Sequence, residues 1–292
     1  MRVALLGFGL IGGSIARSLR RDASEWSIAA WSPSGDGPAR ARDEGVVADA
    51  CTSPDDAVRD AELVVLAGPP LAALELIDEM SRGGLASAMG PDAVVTDVAS
   101  TKQAIMARAE AARLRFVGGH PMAGREASGY EGSSADLFAD RPWVVVPGAR
   151  ASSADRERVE RLARACGGRP VEMTAAAHDA AVAAISHLPL VVAAALVEAV
   201  VGTGDGPDRG DWPVAGSLAA SGWQGMTRLA RGDVAMGAGI VATNAPAIAA
   251  RIRDVRDALD TWLHELDRAG GPDAAAVAER LAAARRRLEA AE

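Results

Sequence analysis

Proton transfer and anion binding need few residue types, and in this 292-residue chain they cluster in short stretches. In Phe116-Val117-Gly118-Gly119-His120-Pro121-Met122-Ala123-Gly124, a short apolar strand runs into two glycines and a histidine. Glycines let backbone approach a ligand closely, Pro121 stiffens a turn, and imidazole exchanges protons near neutral pH. His120 is therefore a candidate general base, with a surface turn histidine as the plainer alternative. Ser100 and Lys102 follow an apolar run ending at Asp97; they read as site residues, or as a helix cap and a solvated lysine. A second histidine, His187, sits in Ser186-His187-Leu188-Pro189 within a long apolar stretch, where it is either a satisfied core group or a site group. Arg228 lies among small and apolar residues in Ser221-Gly222-Trp223-Gln224-Gly225-Met226-Thr227-Arg228 rather than in a charge run. A desolvated guanidinium needs a partner anion, and its fork suits a carboxylate.

These residues need elements to carry them, and the first is set by glycine. Residues 2–6 read as a buried strand, followed by Gly7-Phe8-Gly9-Leu10-Ile11-Gly12-Gly13-Ser14 and a helix-like run. That is GxGxxG in a strand-turn-helix context: Gly7 makes the turn, Gly9 admits a pyrophosphate, and Gly12 permits close packing. Gly7, Gly9, Leu10, Ile11 and Gly12 are the expected cofactor contacts, with phosphates at the helix N-terminus. After the second strand (27–31) an NAD site usually carries Asp or Glu. Here Ser32 stands instead, so NAD and NADP both remain open, with Arg40 and Arg42 able to reach a phosphate or to be exposed helix charges. Gly68-Pro69-Pro70, after the strand 63–67, bends on the ligand side of an open parallel sheet, which adds Gly68, Pro69 and Ser100 to the cofactor set.

Helix and strand patterns alternate throughout this half: helices near 39–44, 54–59, 71–80 and 103–112, a segment near 46–47, and strands near 93–97, 116–117 and 143–146. This predicts a Rossmann-type doubly wound parallel sheet over residues 1–150. Strand signals then stop, and an all-α domain is expected over 151–292. Its first helix is 157–166. The next, residues 175–201, is apolar on nearly all faces, so a second subunit should cover it, and Pro189 should kink it. Later helices over 245–268 and 273–290 have apolar residues at helical spacing and arginines outward.

Composition sets limits. A net charge of −8 with no basic block argues against a nucleic-acid or anionic-membrane partner. The longest apolar run, 188–197, falls short of a bilayer span of ~20 residues, so a soluble, cytoplasmic protein is expected. Cys51 and Cys166 stand in unrelated contexts and read as free thiols.

With these segments side by side, the chain resembles the prephenate/arogenate dehydrogenases of tyrosine biosynthesis. The resemblance rests on GFGLIGGS, TDVASTK, FVGGHPMAGREASG, the LF-to-WVVVP stretch, HDAAVAAISHLP and SGWQGMTRLARGD, in the family's order over most of residues 1–245. It implies a Rossmann domain followed by a helical dimerisation domain, a homodimer, and an active site between the domains. It also implies oxidative decarboxylation of prephenate to 4-hydroxyphenylpyruvate, or alternatively of arogenate to tyrosine, with NAD or NADP and no metal. Carried over, His120 would take the ring-hydroxyl proton, Ser100 would bond the same hydroxyl, and Arg228 would hold a carboxylate. His187 would line the pocket and Lys102 would support the loop.

Some positions depart from the family pattern. Leu190 replaces a second histidine common in prephenate-preferring members, and Gly237 stands where tryptophan is frequent. Arg125 stands where threonine or glutamine is frequent, and could meet the substrate's side-chain carboxylate. No regulatory ACT domain is evident, so tyrosine feedback through one is not expected. Two other readings compete. A 6-phosphogluconate/β-hydroxyacid-type dehydrogenase would need a lysine on the 175–201 helix, and Lys102 is the chain's only lysine. A non-catalytic NAD(P)-binding regulatory dimer is the remaining alternative.

Overall fold

The fold begins with β1 (Arg2–Leu6), whose side chains alternate between two cores. Val3 and Leu5 pack on one face with Ile15 and Leu19, while Ala4 and Leu6 pack on the other with Leu76 and Ile77. A strand buried on both faces must be apolar at every position, which is why it reads as a continuous run. The computed structural model describes residues 1–22, 25–125, 127–202 and 212–290. They fall into two compact units, Met1–Ala245 and Pro246–Glu292.

Along the first unit follow α1 (Leu10–Asp22), β2 (Ser27–Trp31), α2 (Asp36–Asp43), β3 (Asp49–Ala50), α3 (Pro54–Val58), β4 (Leu63–Leu66), α4 (Pro70–Ser81), α5 (Gly84–Ala88), β5 (Val94–Asp97), α6 (Gln103–Ala111), β6 (Phe116–Pro121) and β7 (Pro142–Pro147). Then come α7 (Ser153–Ala165) and β8 (Arg169–Glu172). Among the described residues the eight strands form one sheet in the order β3-β2-β1-β4-β5-β6-β7-β8. Neighbours are parallel except β6 and β7, which are antiparallel. The order reverses between β1 and β4, and in such sheets the crevice beyond those two strand ends is the ligand site.

The doubly wound sheet is as expected, but its limits are not. It continues past residue 150: α7 opens with a Ser152–Asp155 capping box, and β8 adds an edge strand beside β7. The third strand is Asp49–Ala50, just past the segment at 46–47, and α5 has no counterpart in the sequence pattern. His120 and Pro121, expected in a turn, belong to β6, where His120 pairs with Val144 and Pro121 with Trp143. Gly118 and Gly119 serve close packing instead of a turn. A Cβ on Gly119 would lie 2.5 Å from the Asp97 carbonyl oxygen, and one on Gly118 would lie 2.8 Å from Met106 Sδ.

The helices after β8 are α8 (Ala175–Val182), a π-turn (Ala183–His187), α9 (Leu188–Val200), α10 (Trp212–Ser217), α11 (Ser221–Thr227), the 3₁₀ turn Arg228–Arg231 and α12 (Val234–Thr243). The expected irregularity at Pro189 takes the form of that π-turn. Pro189 has no amide for the Ile185 carbonyl, and the Leu188 amide bonds the Ala183 carbonyl five residues back. The run Ala175–Val200 is, by length and composition, able to cross a membrane, which the shorter apolar stretch had not suggested. One side of it carries His178, Asp179 and His187, all buried. The other leaves Ile185 69% exposed, as do Leu218 at 77% and Val234 at 84% on nearby segments.

In the second unit, α13 (Ala245–Leu266) and α14 (Ala274–Glu289) form a helical hairpin. Arg280 lies 4.2 Å over the Trp262 ring and bonds the Ala258 carbonyl.

Candidate active site

The glycine loop between β1 and α1 is built for a dinucleotide. Gly7 has φ +101°, and a Cβ there would meet the Ala67 carbonyl carbon at 2.7 Å. A Cβ on Gly12 would sit 2.3 Å from the Gly7 oxygen, whereas one on Gly9 would meet nothing within 4 Å. Gly7 and Gly12 hold the turn closed beside the end of β4, and Gly9 leaves open space before the unsatisfied amides that begin α1, where pyrophosphate fits. Gly68 and Pro69 lead into α4, and Ser32 lies at the end of β2, all at the same edge of the sheet. Arg40 is held by Glu44 and Glu131, and Arg42 by Asp43. Glu44 also accepts from Tyr130 Oη at 2.7 Å and from Arg17 at 2.9 Å.

His120 lies at the C-terminal end of β6, half-buried. Its Nδ1 is 2.8 Å from His178 Nε2, and His178 Nδ1 is 2.8 Å from Asp179 Oδ1. Asp179 reaches from α8 to cap α6, accepting from the Lys102 amide at 2.7 Å and the Gln103 amide at 2.9 Å. Burial alone would raise the Asp179 carboxyl, but the His178 ring and those two amides outweigh it and hold it below the ordinary carboxylate value. Burial, then the nearby His178, Lys102 and His187, push the His120 pKa well below an ordinary histidine's, which favours a neutral ring at pH 7.

Lys102 is occupied within the chain. It is fully buried and paired with Asp97, whose other oxygen accepts the Gly119 amide at 3.1 Å. Burial pushes both partners toward their uncharged forms while their mutual contact opposes it. In either protonation state the pair is neutral overall, so it can sit beneath β6 and fix the backbone next to His120.

His187 is fully buried. The Asn244 amide donates to the Asp179 carbonyl at 3.0 Å and to His187 Nδ1 at 3.1 Å. His187 therefore carries its proton on Nε2, and that buried atom, like Ser100 Oγ, has no hydrogen-bond partner. The Ser100 backbone, facing the ring as an acceptor, raises the His187 pKa slightly against the burial that lowers it. Buried polar atoms left without partners are rare enough to suggest a ligand that completes them.

The fold thus gathers His120, Ser100, Lys102 and His187 into one region of the first unit. Arg228 is placed differently from expectation: it opens a 3₁₀ turn and is exposed, not desolvated within this chain. Arg125 is exposed as well and lines a cavity of about 470 Å³ with Met122, Asp136 and Arg141. His178, Asp179, Asp97 and Asn244 were not singled out from the sequence. The available signal was an adjacent His-Asp pair inside an otherwise apolar helix, and a carboxylate ending an apolar strand. Among the described residues no group of His, Cys, Asp and Glu is arranged to hold a metal ion.

The profile of the prephenate dehydrogenase nucleotide-binding domain matches residues 15–172, and that of the prephenate dehydrogenase dimerization domain matches residues 174–273. The change between them falls just after β8. The prephenate dehydrogenase of Bacillus subtilis (strain 168) is 30% identical over 269 residues, covering 91% of this chain and 68% of that protein. The structure of prephenate dehydrogenase from A. aeolicus in complex with hydroxyphenyl propionate and NAD+ superimposes with a TM-score of 0.84 at 27% identity, covering 99% of this chain and 98% of that one. Synechocystis arogenate dehydrogenase superimposes with a TM-score of 0.77 at 29% identity, covering 99% of this chain and 100% of that one.

Proposed function

The chain belongs to the prephenate dehydrogenase family, and we propose that His120 is its base in the NAD(P)-dependent oxidative decarboxylation of prephenate to 4-hydroxyphenylpyruvate. The observation that carries this is an imidazole held at a strand end, on the same edge of the sheet as the glycine loop, where burial favours its neutral form. The cofactor supplies the hydride acceptor. His120 takes the ring-hydroxyl proton, and Ser100 Oγ, a buried atom with an unused hydrogen bond, bonds the same oxygen. His187 offers its Nε2 proton to the pocket. Once the alcohol becomes a ketone, the dienone is an electron sink for the departing carboxylate, and aromatisation drives the loss of carbon dioxide. The protein's part is orientation, proton handling and electrostatics.

Arg228 and Arg125 are the proposed holders of the substrate carboxylates. Their exposure within one protomer is compatible with a site completed by substrate and by a second copy. Homodimerisation through the helical region would cover Ile185, Leu218 and Val234, three large apolar side chains otherwise left in water. A cytoplasmic location follows for a soluble enzyme of this type.

Arogenate is the second reading, and one contact favours it. Leu190 Cδ2 lies 3.8 Å from where a Gly237 Cβ would be, so two departures from the family pattern adjoin and leave an apolar wall. The deciding experiment assays purified protein with prephenate and arogenate, each with NAD and NADP, for wild type and His120→Asn. The variant should lose about 100- to 10,000-fold in rate with cofactor binding retained. An unchanged rate would remove His120 from its role. Absence of turnover by the wild type with every pair would favour the regulatory-dimer alternative.

A further inference from the structure

We propose that His178 and Asp179 form a buried relay that sets the tautomer of His120 and takes up the positive charge created when His120 accepts a proton. The inference rests on His120 acting as the base.

The hydrogen bonds allow only one arrangement of protons. The Asp179 carboxylate already accepts the Lys102 and Gln103 amides and has no proton to give. His178 must therefore donate to it from Nδ1, across 2.8 Å. That leaves a lone pair on His178 Nε2, and the atom facing it at 2.8 Å is His120 Nδ1. His120 must carry its proton on Nδ1, so the free lone pair is on Nε2. Were His178 to hold its proton on Nε2, His120 would turn its lone pair inward and offer a proton where a base is needed.

The same contacts route the charge. As the substrate O–H bond breaks, its proton joins His120 Nε2, while the carbon bearing that oxygen would give up its hydride, with the electron pair, to a bound dinucleotide. The Nδ1–H bond of His120 then breaks and its proton joins His178 Nε2. The cation comes to rest on His178 against the Asp179 carboxylate, instead of on His120 beside Lys102 and His187. When carbon dioxide leaves, the electrons of the broken C–C bond reach the ring oxygen, which takes a proton back from His120 Nε2. The His178 proton returns to His120 Nδ1. The relay holds one proton for the lifetime of the dienone and no net proton is released. His178 and Asp179 are positioning residues in this scheme, because neither touches the substrate.

The test combines a spectrum and a kinetic split. In protein labelled with ¹⁵N-histidine, long-range ¹H–¹⁵N correlation should show His120 and His178 both protonated on Nδ1. Asp179→Asn should move His120 toward the Nε2–H form. A wild-type His120 protonated on Nε2 would overturn the proposal, and this readout needs no turnover, so it stands apart from the assignment of function. His178→Gln presents an amide oxygen that can still orient His120 but cannot accept a proton. It leaves the α6 cap untouched, so it serves even if Asp179→Asn fails to fold. Its kcat should fall about 100-fold, the lower end of the ~100- to 10,000-fold range of proton-transfer contributions, with KM and cofactor affinity close to wild type. A wild-type kcat in folded His178→Gln would overturn the relay.

Discussion

Acid should destabilise this protein through His187, by an amount that can be worked out. The ring is fully buried. Burial lowers its pKa from 6.5 to about 4, with Asp179 opposing and His178 adding to the effect. The folded value therefore lies below the unfolded one. As pH falls, the unfolded chain takes up the proton first, so stability is intact above 6.5 and drains away between 6.5 and about 4. The full gap corresponds to about 3 kcal/mol per protomer, and about 2 kcal/mol of it is lost by pH 5.

Urea unfolding of wild type and His187→Gln at pH 7.5 and pH 5, at one protomer concentration, isolates this contribution. Glutamine can still accept from Asn244 but does not titrate. The variant should be the less stable protein at pH 7.5, and its disadvantage should shrink by about 2 kcal/mol at pH 5. A disadvantage of the same size at both pH values would refute the reasoning, as would a His187 ring that titrates near 6.5 when followed directly by NMR. The functional corollary is that His187, in the substrate-lining role proposed for it, would be a neutral donor near pH 7.

Lys102→Met should cost about 3–5 kcal/mol by leaving the Asp97 carboxylate buried without its partner, and adding Asp97→Asn should recover much of that loss. Strictly additive effects in urea melts would count against a coupled pair. Gly9→Ala should keep the wild-type Tm, since its Cβ meets nothing within 4 Å, yet weaken dinucleotide binding; Gly12→Ala should lower Tm because its Cβ would lie 2.3 Å from the Gly7 oxygen. Calorimetry of binding and melting separates the two, and equal Tm losses would contradict the assigned roles. The acid limb of kcat/KM should lie below 6.5, because burial, His178, Lys102 and His187 all disfavour protonated His120. A pH–rate profile with its acid limb at or above 6.5 would show that His120 is not the titrating base.

How far the sequence discloses this site depends on where each residue's partners lie. Gly7, Gly9 and Gly12 act within one strand-turn-helix, so their spacing alone announces the dinucleotide loop, and β1 and β2 run over the residues the apolar pattern indicates. His120 was legible by type but not by setting: glycine serves a turn and a close approach equally well, and only the Asp97 carbonyl and Met106 sulfur identify the second use. His178 and Asp179 were harder still. Their neighbours in sequence are alanines, while the groups that give them meaning are His120 on β6 and the amides opening α6. The edge strand β8 escaped notice because Arg169-Pro170-Val171-Glu172 is half exposed and has no apolar run to betray it. Arg228 shows the opposite error, since small neighbours suggested desolvation and the side chain is instead exposed. In each case the misread quantity is a contact made at long sequence separation. The residues that escaped reading follow from this: a buried carboxylate must be matched across the fold, and Asp179 is matched three times over, by a ring nitrogen and two amides. A site built that way holds His120 against α6 and α8 together, so a change in how α8 packs should reach the base through Asp179 before it disturbs the glycine loop.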